Sequence, residues 1–178
     1  KIDFSADQMS GLIDDRLELS RSGRVMRPFT ENNLNQIVKD VMEILQIVIT
    51  QNNAKICFDG NLPVVIGDNL KIRQLFQNLI ENALKYRHPD RNPEINIGYN
   101  VQAKHIFVRD NGIGIEEKDY EKIFEVFSKL NSDNKGSGIG LSIVKRIVDL
   151  HKGRITVKSE FGEYTEFQFT LSENKAGS

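Results

Sequence analysis

The sequence has little of several features that mark particular classes of protein. It holds a single cysteine, Cys57, so no disulfide can form within the chain, which suits a reducing compartment such as the cytoplasm. Cys57 lies in an apolar stretch over residues 55–58, where we expect a buried and unreactive thiol. No apolar run is long enough to cross a bilayer, and neither a signal peptide nor a lipidation motif is present. We therefore expect no membrane contact by this chain.

An excess of either charge is also missing. The chain has 24 basic and 25 acidic residues and a formal net charge of −1, so its overall charge does not favour a nucleic-acid or anionic-membrane partner. Hydrophobic residues make up 39% and charged residues 28%, which is typical of a globular protein. A length of 178 residues allows one substantial core with an N-terminal addition.

The N-terminal segment predicts one helix. Residues 5–8 have the form of a capping box, and apolar residues follow at helical spacing until the polar stretch 20–23. Those apolar residues are Met9, Leu12, Ile13 and Leu17. A stripe this narrow on a helix of about four turns is marginal in water. Two alternatives remain: the helix pairs with a second helix, or it folds onto its own domain.

Hydrophobic periodicity predicts the rest of the fold. Helices are predicted over 32–51, over 116–127 and over 141–150, and a further helix has Asp68 as its N-cap and an apolar stripe from Ile72 to Leu84. Strands are predicted over 54–59, 64–66, 94–101, 104–109, 154–159 and 165–171. This order predicts a two-layer α/β sandwich, with a mixed sheet covered on one face by three helices. The polar segment 128–135 is predicted to be mobile before a ligand binds.

Two glycine clusters predict an anion site. The first is the run Asp110-Asn111-Gly112-Ile113-Gly114, and the second runs from Gly136 through Gly138 and Gly140 into the helix over 141–150. Glycine permits close approach to the main chain, and a helix N-terminus offers unpaired N–H groups to an anion. One such cluster is often only a turn, but two of them are typical of a phosphate site built from backbone.

Two asparagines in the second predicted helix need an explanation. At 100° per residue, Asn78, Asn82 and Lys85 fall together at the border of the apolar stripe. Asparagine is a poor helix former, so two of them four residues apart indicate a functional role. The alternative is that they belong to a solvated surface of the helix.

Taken in order, these segments resemble the N, G1, F, G2 and G3 boxes of sensor histidine kinases. The segments are residues 78–86 (NLIENALKY), 110–114 (DNGIG), 124–127 (FEVF), 136–141 (GSGIGL) and 162–167 (GEYTEF). The resemblance implies the Bergerat ATP-binding fold of the GHKL superfamily. It covers about residues 5–171, and its motifs are strongest over 68–171.

The resemblance implies an ATP and Mg²⁺ site. Its nucleotide-binding residues are Asn78, Asn82, Lys85, Tyr86, Asp110, Gly112, Gly114, Ile115, Lys129, Gly136, Ser137, Gly138, Ile139, Gly140, Leu141 and Thr165. Among them Asn82 is the expected Mg²⁺ ligand, supported by Asn78, and Tyr86 packs against adenine. Asp110 is expected to accept a hydrogen bond from the adenine amino group, and Thr165 to join that network. Phe124 and Phe127 either pack at the base of the lid or belong only to the core.

The same resemblance divides the chain into three parts. Residues 1–26 correspond to the second helix of the dimerisation and phosphoacceptor hairpin, residues 27–173 to the catalytic and ATP-binding domain, and 174–178 to a disordered tail. The implied activity is transfer of the γ-phosphate of ATP to a histidine on the first hairpin helix, for relay to an aspartate of a response regulator receiver domain. We expect that acceptor to be absent, because His88, His105 and His151 all lie in the nucleotide-binding part and are interpreted as structural or solvated. The intact protein is expected to be a homodimer, and its location cytoplasmic, as a soluble protein or the cytoplasmic part of a membrane-bound sensor.

Three departures from the family pattern leave two other functions open. Lys129 stands where arginine is common, Tyr164 replaces a glycine of the last box, and the lid is short. These differences keep open a non-catalytic ATP-sensing module. An ATP hydrolase of the same superfamily is disfavoured, because it uses a glutamate where this chain has Asn78, and an amide cannot take a proton from water.

Overall fold

The computed structural model describes residues 28–125 and 138–171. The predicted N-terminal helix, the loop predicted over 128–135 and the tail over 174–178 lie outside these ranges. So do Phe127, Lys129, Gly136 and Ser137.

The described residues form four α-helices and seven strands. The helices are α1 (Leu34–Ile44), α2 (Gln46–Gln51), α3 (Asn69–Lys85) and α4 (Gly140–Leu150). The strands are β1 (Thr30–Asn33), β2 (Lys55–Phe58), β3 (Val64–Gly67), β4 (Glu94–Asn100), β5 (His105–Asp110), β6 (Ile155–Glu160) and β7 (Tyr164–Phe169).

Five strands form one mixed sheet in the order β2-β4-β5-β7-β6. The β2–β4 pair is parallel and the other three pairs are antiparallel. A separate two-stranded ribbon pairs β1 with β3 in antiparallel register. The predicted fold class, an α/β sandwich with a mixed sheet packed on helices, is confirmed.

Helix α3 lies at the centre of the helical layer and packs against both α1 and α4. Its predicted apolar stripe is buried, with Ile72, Leu75, Phe76, Leu79, Ile80, Ala83 and Leu84 at 4% exposure or less. Phe76 meets Phe169 of β7 edge to face, with ring centroids 5.8 Å apart. Full burial of one such side chain contributes about 1.5–3 kcal/mol, so this stripe anchors the helix to the sheet.

The start of α3 is set by Asp68, as predicted. Its carboxylate accepts hydrogen bonds from the backbone N–H groups of Leu70, at 3.0 Å, and Lys71, at 3.2 Å. These bonds satisfy donors that have no partner inside the helix, and such a cap contributes about 1 kcal/mol.

Two predicted helices differ from the structure. The helix over 32–51 is interrupted at Leu45, although hydrogen bonds from Leu45 to Val41 and from Ile49 to Leu45 pass through the interruption. The prediction of a helix over 116–127 is wrong for its described part, which forms two 3-10 turns, Glu117–Asp119 and Lys122–Phe124. Only Ile123 is buried among the residues of these turns, and so few apolar anchors do not offset the cost of nucleating an α-helix.

Candidate functional site

The two asparagines of α3 face the N-terminus of α4. A Cβ atom placed on Gly140 would lie 2.9 Å from Oδ1 of Asn78 and 3.7 Å from Nδ2 of Asn82. Glycine at position 140 therefore lets the first turn of α4 approach both amides more closely than a larger residue would. This contact brings the two predicted motifs together.

The asparagine amides are not equivalent. Nδ2 of Asn78 donates to the backbone carbonyl of Gln74 at 2.9 Å, which leaves Oδ1 directed at Gly140. Nδ2 of Asn82 is buried and has no hydrogen-bond partner among the described residues. A buried polar atom without a partner is costly in a folded protein. The Asn82 amide is therefore open to a partner that is not among the described residues.

The N-terminus of α4 has no side-chain cap. Ile139 occupies the N-cap position without a side-chain hydrogen bond, and Gly138 before it has a positive φ of 72°. Ile139 is itself buried at 1% exposure and belongs to the hydrophobic core. The first N–H groups of a helix with no cap are suited to binding an anion. Leu141 is half-buried and packs on the core beside them.

At the other end of the site, Asp110 closes strand β5. Its side chain is 8% exposed, and its Oδ1 atom accepts a hydrogen bond from the N–H of Gly112 at 2.8 Å. Burial raises the pKa of this carboxyl to about 7, although the Gly112 hydrogen bond opposes the increase. A carboxylate with a raised pKa, buried beside a glycine loop, is typical of a functional site.

The glycine loop after Asp110 is packed between α3 and the β6–β7 hairpin. A Cβ on Gly112 would overlap the carbonyl oxygen of Tyr86, and one on Gly114 would overlap the carbonyl oxygen of Glu160. Gly114 also has a positive φ of 70°, which a larger residue adopts only with strain. The N–H of Ile113 donates to the Tyr86 carbonyl at 3.0 Å and so fastens the loop to the end of α3.

The remaining described residues of the predicted site occupy three positions. Thr165 is paired with Asp110 across β5 and β7 and is 6% exposed. The N–H of Ile115 donates to Oγ of Ser159 at 2.8 Å. Nζ of Lys85 lies 3.0 Å from the Tyr86 hydroxyl and 4.6 Å from the centre of its ring. Lys85 is thus engaged with Tyr86 at the exposed end of α3.

One residue that the sequence did not single out connects two parts of the site. Nη2 of Arg91 lies within hydrogen-bond distance of three carbonyl oxygens, those of Gly112 at 3.2 Å, Gly162 at 2.5 Å and Glu163 at 3.0 Å. Arg91 therefore holds the glycine loop to the β6–β7 turn. No local pattern marks it, since it lies in an irregular loop and its partners come from later in the chain.

Tyr164, which departs from the family pattern, is accommodated on the outer face of the sheet. The guanidinium of Arg109 stacks over its ring, 4.0 Å from the centre. The turn before it takes its positive φ, 86°, at Gly162. The hairpin therefore forms without the second glycine.

One open recess has a volume of about 560 Å³ and includes neither the asparagines of α3 nor a residue of α4 in its lining. It borders the first glycine cluster through Asp110 and Asn111. Its lining residues Asn96 and Arg109 alternate with buried Ile95, Ile97 and Val108, so strand alternation places them on the face opposite the helices. Acidic and basic side chains share its lining, so its charge does not favour one class of ligand.

The three histidines lie where the sequence placed them, in a loop, a strand and at a helix end. His151 is fully buried at the end of α4 and makes two hydrogen bonds, so its role is structural. His88 accepts a hydrogen bond from the N–H of Asp90 at 3.2 Å, and His105 is half-buried at the start of β5. Phe124 packs on the core and meets Phe167 edge to face, with centroids 6.2 Å apart.

Residues 28–125 and 138–171 hold no group of three or more His, Cys, Asp or Glu side chains that could bind a metal ion. They also contain no helix of the length and apolar character required to span a membrane.

Comparison with known sequences decides the family. The model of the "Histidine kinase-, DNA gyrase B-, and HSP90-like ATPase" family matches residues 67–175, more than half of the chain. The chain belongs to this family. Its match begins at the residue before Asp68 and includes both asparagines and both glycine clusters, so the fold and the ATP-binding class of this domain agree with the sequence-based prediction.

Histidine kinases and phytochromes are among the similar curated proteins. The methanogenesis regulatory histidine kinase FilI of Methanothrix harundinacea is 37% identical over 166 residues, which are 92% of this chain and 19% of FilI. Cyanobacterial phytochrome B of a Nostoc species is 42% identical over 172 residues, 93% of this chain and 23% of the relative. The chain therefore spans about a fifth of the length of these relatives.

Solved histidine kinase structures share the fold. The catalytic domain of histidine kinase ThkA aligns with a TM-score of 0.69 and 28% identity, covering 83% of this chain and 97% of that one. ThkA solved in complex with the response regulator protein TrrA aligns with a TM-score of 0.75 and 26% identity, covering 99% of this chain and 51% of ThkA. The histidine-kinase type of ATP-binding domain is thus supported by sequence and by structure.

Proposed function

We propose that this chain binds Mg·ATP and acts as the catalytic module of a sensor histidine kinase, passing the γ-phosphate to a histidine on a separate helix. The observation that carries the proposal is the meeting of Asn78 and Asn82 with the uncapped N-terminus of α4 at Gly140. Phosphate oxygens would accept hydrogen bonds from the N–H groups of that helix end, and Lys85, Ser137 and Lys129 are proposed to contribute from outside it.

The residues present fit a magnesium ion held mainly by phosphate and water. Mg²⁺ is usually bound through few protein oxygens and retains several waters. Asn82 is the proposed ligand, and its buried amide nitrogen has no hydrogen-bond partner among the described residues. A 180° rotation of the amide group would put its oxygen, which can bind the ion, in the place of that nitrogen. When bound, the ion would neutralise charge on the phosphates.

The opposite end of the site is suited to adenine. Asp110 and Thr165 are buried neighbours on adjacent strands, and Tyr86 lies at the end of α3 against the glycine loop. We propose that the ionised Asp110 accepts a hydrogen bond from the adenine amino group and that Tyr86 packs on the ring. The main chain of the glycine loop would then lie between the base and the phosphates, at Gly112, Gly114 and Ile115.

In the proposed reaction the bond between the β–γ bridging oxygen and the γ-phosphorus breaks as a histidine nitrogen bonds to that phosphorus. ADP leaves, and the phosphoryl group passes later to a receiver-domain aspartate. Dimerisation of the intact protein through the hairpin helices belongs to the same proposal. The chain's own residues bind and orient the nucleotide, because this chemistry depends on positioning and charge rather than on a protein nucleophile.

The geometry disfavours the hydrolase alternative. Oδ1 of Asn78 points at Gly140, in the position from which a hydrolase would need a carboxylate base. Glu81 is exposed and accepts a hydrogen bond from Gln77 at 2.9 Å, on another side of the helix. Water activation from α3 is therefore not part of the proposal.

The test is incubation with γ-labelled ATP and Mg²⁺. The chain alone should bind ATP but acquire no acid-labile label, and a separate hairpin carrying an acceptor histidine should become labelled. That transfer should be weak, since covalent linkage normally supplies the effective concentration. Binding without any transfer would favour the ATP-sensing module, and labelling of His88, His105 or His151 would contradict the assignment of the acceptor.

A further inference from the structure

Three polar side chains form a row across the edge of the main sheet. Asp110 on β5 is paired with Thr165 on β7, and Thr165 is paired on its other side with Ser159 on β6. All three alternate with outward-facing residues and so lie on the face that carries the helices. Directly opposite residues have Cβ atoms about 5 Å apart, so their side chains interact. Asp110 and Thr165 were predicted from the sequence, whereas Ser159 was not.

The hydrogen bonds of Ser159 can be fully assigned. Its Oγ atom accepts from the N–H of Ile115 at 2.8 Å and donates to the carbonyl of Tyr164 at 2.5 Å. Oγ of Ser159 also lies 3.3 Å from Oγ1 of Thr165. A serine hydroxyl has one hydrogen, which is already directed at Tyr164, so Thr165 must be the donor in this last contact.

That assignment sets what Thr165 can offer to a ligand. A threonine hydroxyl also has one hydrogen, and here it points along the row to Ser159. Only lone pairs of Oγ1 remain for a molecule bound beside Asp110. Oδ1 of Asp110 accepts from Gly112, and its carboxylate, when ionised, likewise has no hydrogen to donate.

Ser159 is itself held in place by Tyr120. The Tyr120 hydroxyl donates to the Ser159 carbonyl at 2.7 Å and accepts from the Ser159 N–H at 3.0 Å. Both bonds are made at the edge of the sheet, because β6 is the last of its described strands. Tyr120 lies between the two 3-10 turns, so its hydroxyl also fastens that segment to the row.

We propose that Ser159 is a specificity-determining positioning residue: by receiving the Thr165 hydrogen, it makes the Asp110–Thr165 pair a surface of acceptors only. Such a surface suits the amino group of a 6-aminopurine. A 6-oxopurine would place its carbonyl oxygen against acceptors and leave polar groups unpaired, which lowers affinity. This inference rests on the proposed function, because it assumes that the purine base lies beside this row.

The test compares ATP with inosine triphosphate, which has a carbonyl in place of the 6-amino group and a hydrogen on N1. Dissociation constants of both are measured by calorimetry with Mg²⁺ at pH 8, for the wild-type chain and three variants. Ser159→Ala removes the acceptor for the Thr165 hydrogen, so Thr165 can turn and donate to the inosine carbonyl. We expect the preference for ATP over inosine triphosphate to fall about fivefold to tenfold, one hydrogen bond's contribution.

Two variants separate a change in nucleotide preference from a general loss of structure in the site. Ser159→Thr retains a hydroxyl and should keep the wild-type preference. Tyr120→Phe removes both bonds to the Ser159 backbone but leaves its Oγ atom, so it should weaken both nucleotides by the same factor. A purely structural role for Ser159 would change the thermal midpoint and both affinities together, without changing their ratio.

Each outcome supports or overturns one of the two proposals. If the wild-type chain binds neither nucleotide, the proposed function fails. If it prefers ATP but Ser159→Ala keeps the same preference, the inference about Ser159 is overturned while the proposed function stands. Should Ser159→Ala not fold, Ser159→Cys provides the same comparison, since a thiol is a weak hydrogen-bond partner.

Discussion

Nε2 of His151, at the end of α4, accepts a hydrogen bond from the backbone N–H of Asp68 at the start of α3, 3.0 Å away. The other ring nitrogen, Nδ1, lies 2.8 Å from the carbonyl of Ile147 and must therefore carry the hydrogen. The ring is stacked on Phe29, with centroids 4.9 Å apart. One buried neutral histidine thus joins the two helices whose other parts form the proposed phosphate site.

Removing this ring should destabilise the domain. His151→Ala leaves a cavity and a buried N–H of Asp68 without a partner, so we expect a loss of about 3 kcal/mol in the free energy of unfolding. Glutamine can place an oxygen near the position of Nε2, so His151→Gln should lose less than His151→Asn, which is too short to reach Asp68. Urea unfolding measures the series, with His88→Ala as the control at under about 1 kcal/mol. Equal losses for the glutamine and asparagine variants would show that the Asp68 bond contributes little.

The pKa of Asp110 predicts how stability varies with pH. Burial raises this pKa to about 7 from an ordinary value of 3.8, so the folded chain binds a proton that the unfolded chain has released. The contribution of Asp110 to stability is therefore complete below about pH 4 and is lost as pH rises to about 7. Asp110→Asn should abolish this decline and stabilise the free chain at pH 8 by at most about 4 kcal/mol. Unfolding measured from pH 4 to 8 tests the prediction.

Asp40 provides a control, because its pKa is shifted in the opposite direction to that of Asp110. Hydrogen bonds from Gln36 and from Arg73 lower the pKa of the Asp40 carboxyl. The contribution of Asp40 to stability is therefore present above the pKa of this carboxyl in the unfolded chain. It is lost only as pH falls through the lower pKa of the folded chain. Asp40→Asn should leave the decline between pH 4 and 7 intact, and a decline that vanished in both variants would exclude Asp110 as its source.

ATP affinity should depend on the same ionisation of Asp110, but it should rise with pH where the stability of the free chain falls. The proposed hydrogen bond from the adenine amino group requires the carboxylate, so ATP affinity should fall as pH decreases below about 7. At pH 8, Asp110→Asn should weaken ATP binding at least tenfold, about 1.4 kcal/mol. Calorimetry that found unchanged affinity would remove Asp110 from the base-binding site.

The Asn82 amide should act through the metal ion. Asn82→Ala is expected to weaken Mg·ATP binding far more than binding of ATP in the presence of a chelator, because its proposed contact is with Mg²⁺. Gln77→Ala is the matched control, since Gln77 lies on the same helix and bonds only to exposed Glu81 among the contacts seen in the described part. Equal losses with and without Mg²⁺ at Asn82 would contradict the metal assignment.

Gly140 should be needed for ligand binding rather than for folding. Alanine favours a helix more than glycine does, but its Cβ would lie 2.9 Å from Oδ1 of Asn78. Gly140→Ala should therefore weaken ATP about tenfold with little loss of stability. The control, Gly60→Ala, replaces a glycine at φ 72° with no atom within 4 Å of its Cβ, so it should lower stability and leave ATP affinity unchanged. The opposite pattern would assign Gly140 a structural role only.

The local features of this protein can be predicted from its amino-acid sequence alone. The apolar stripe of α3 and the strand alternation follow from periods of 3.6 and 2 residues, which neighbouring residues alone establish. The cap of α3 follows from the short polar side chain of Asp68. The two glycine clusters and the asparagine pair could also be identified from the sequence. The helix predicted over 116–127 was wrong for residues 116–125, where two 3-10 turns bury only Ile123, a fact that becomes clear only in the fold.

Which of these features come into contact depends on the tertiary structure. The strand order β2-β4-β5-β7-β6 places Ser159, Thr165 and Asp110 in one row, although Asp110 comes from a different hairpin. The packing of α3 against α4 brings Asn78 to Gly140, and the Arg91 side chain joins two turns that are distant in sequence. Such contacts depend on the order in which strands pair and on the direction of single side chains. Neither leaves a periodic signal in the chain, so only the folded structure could reveal them.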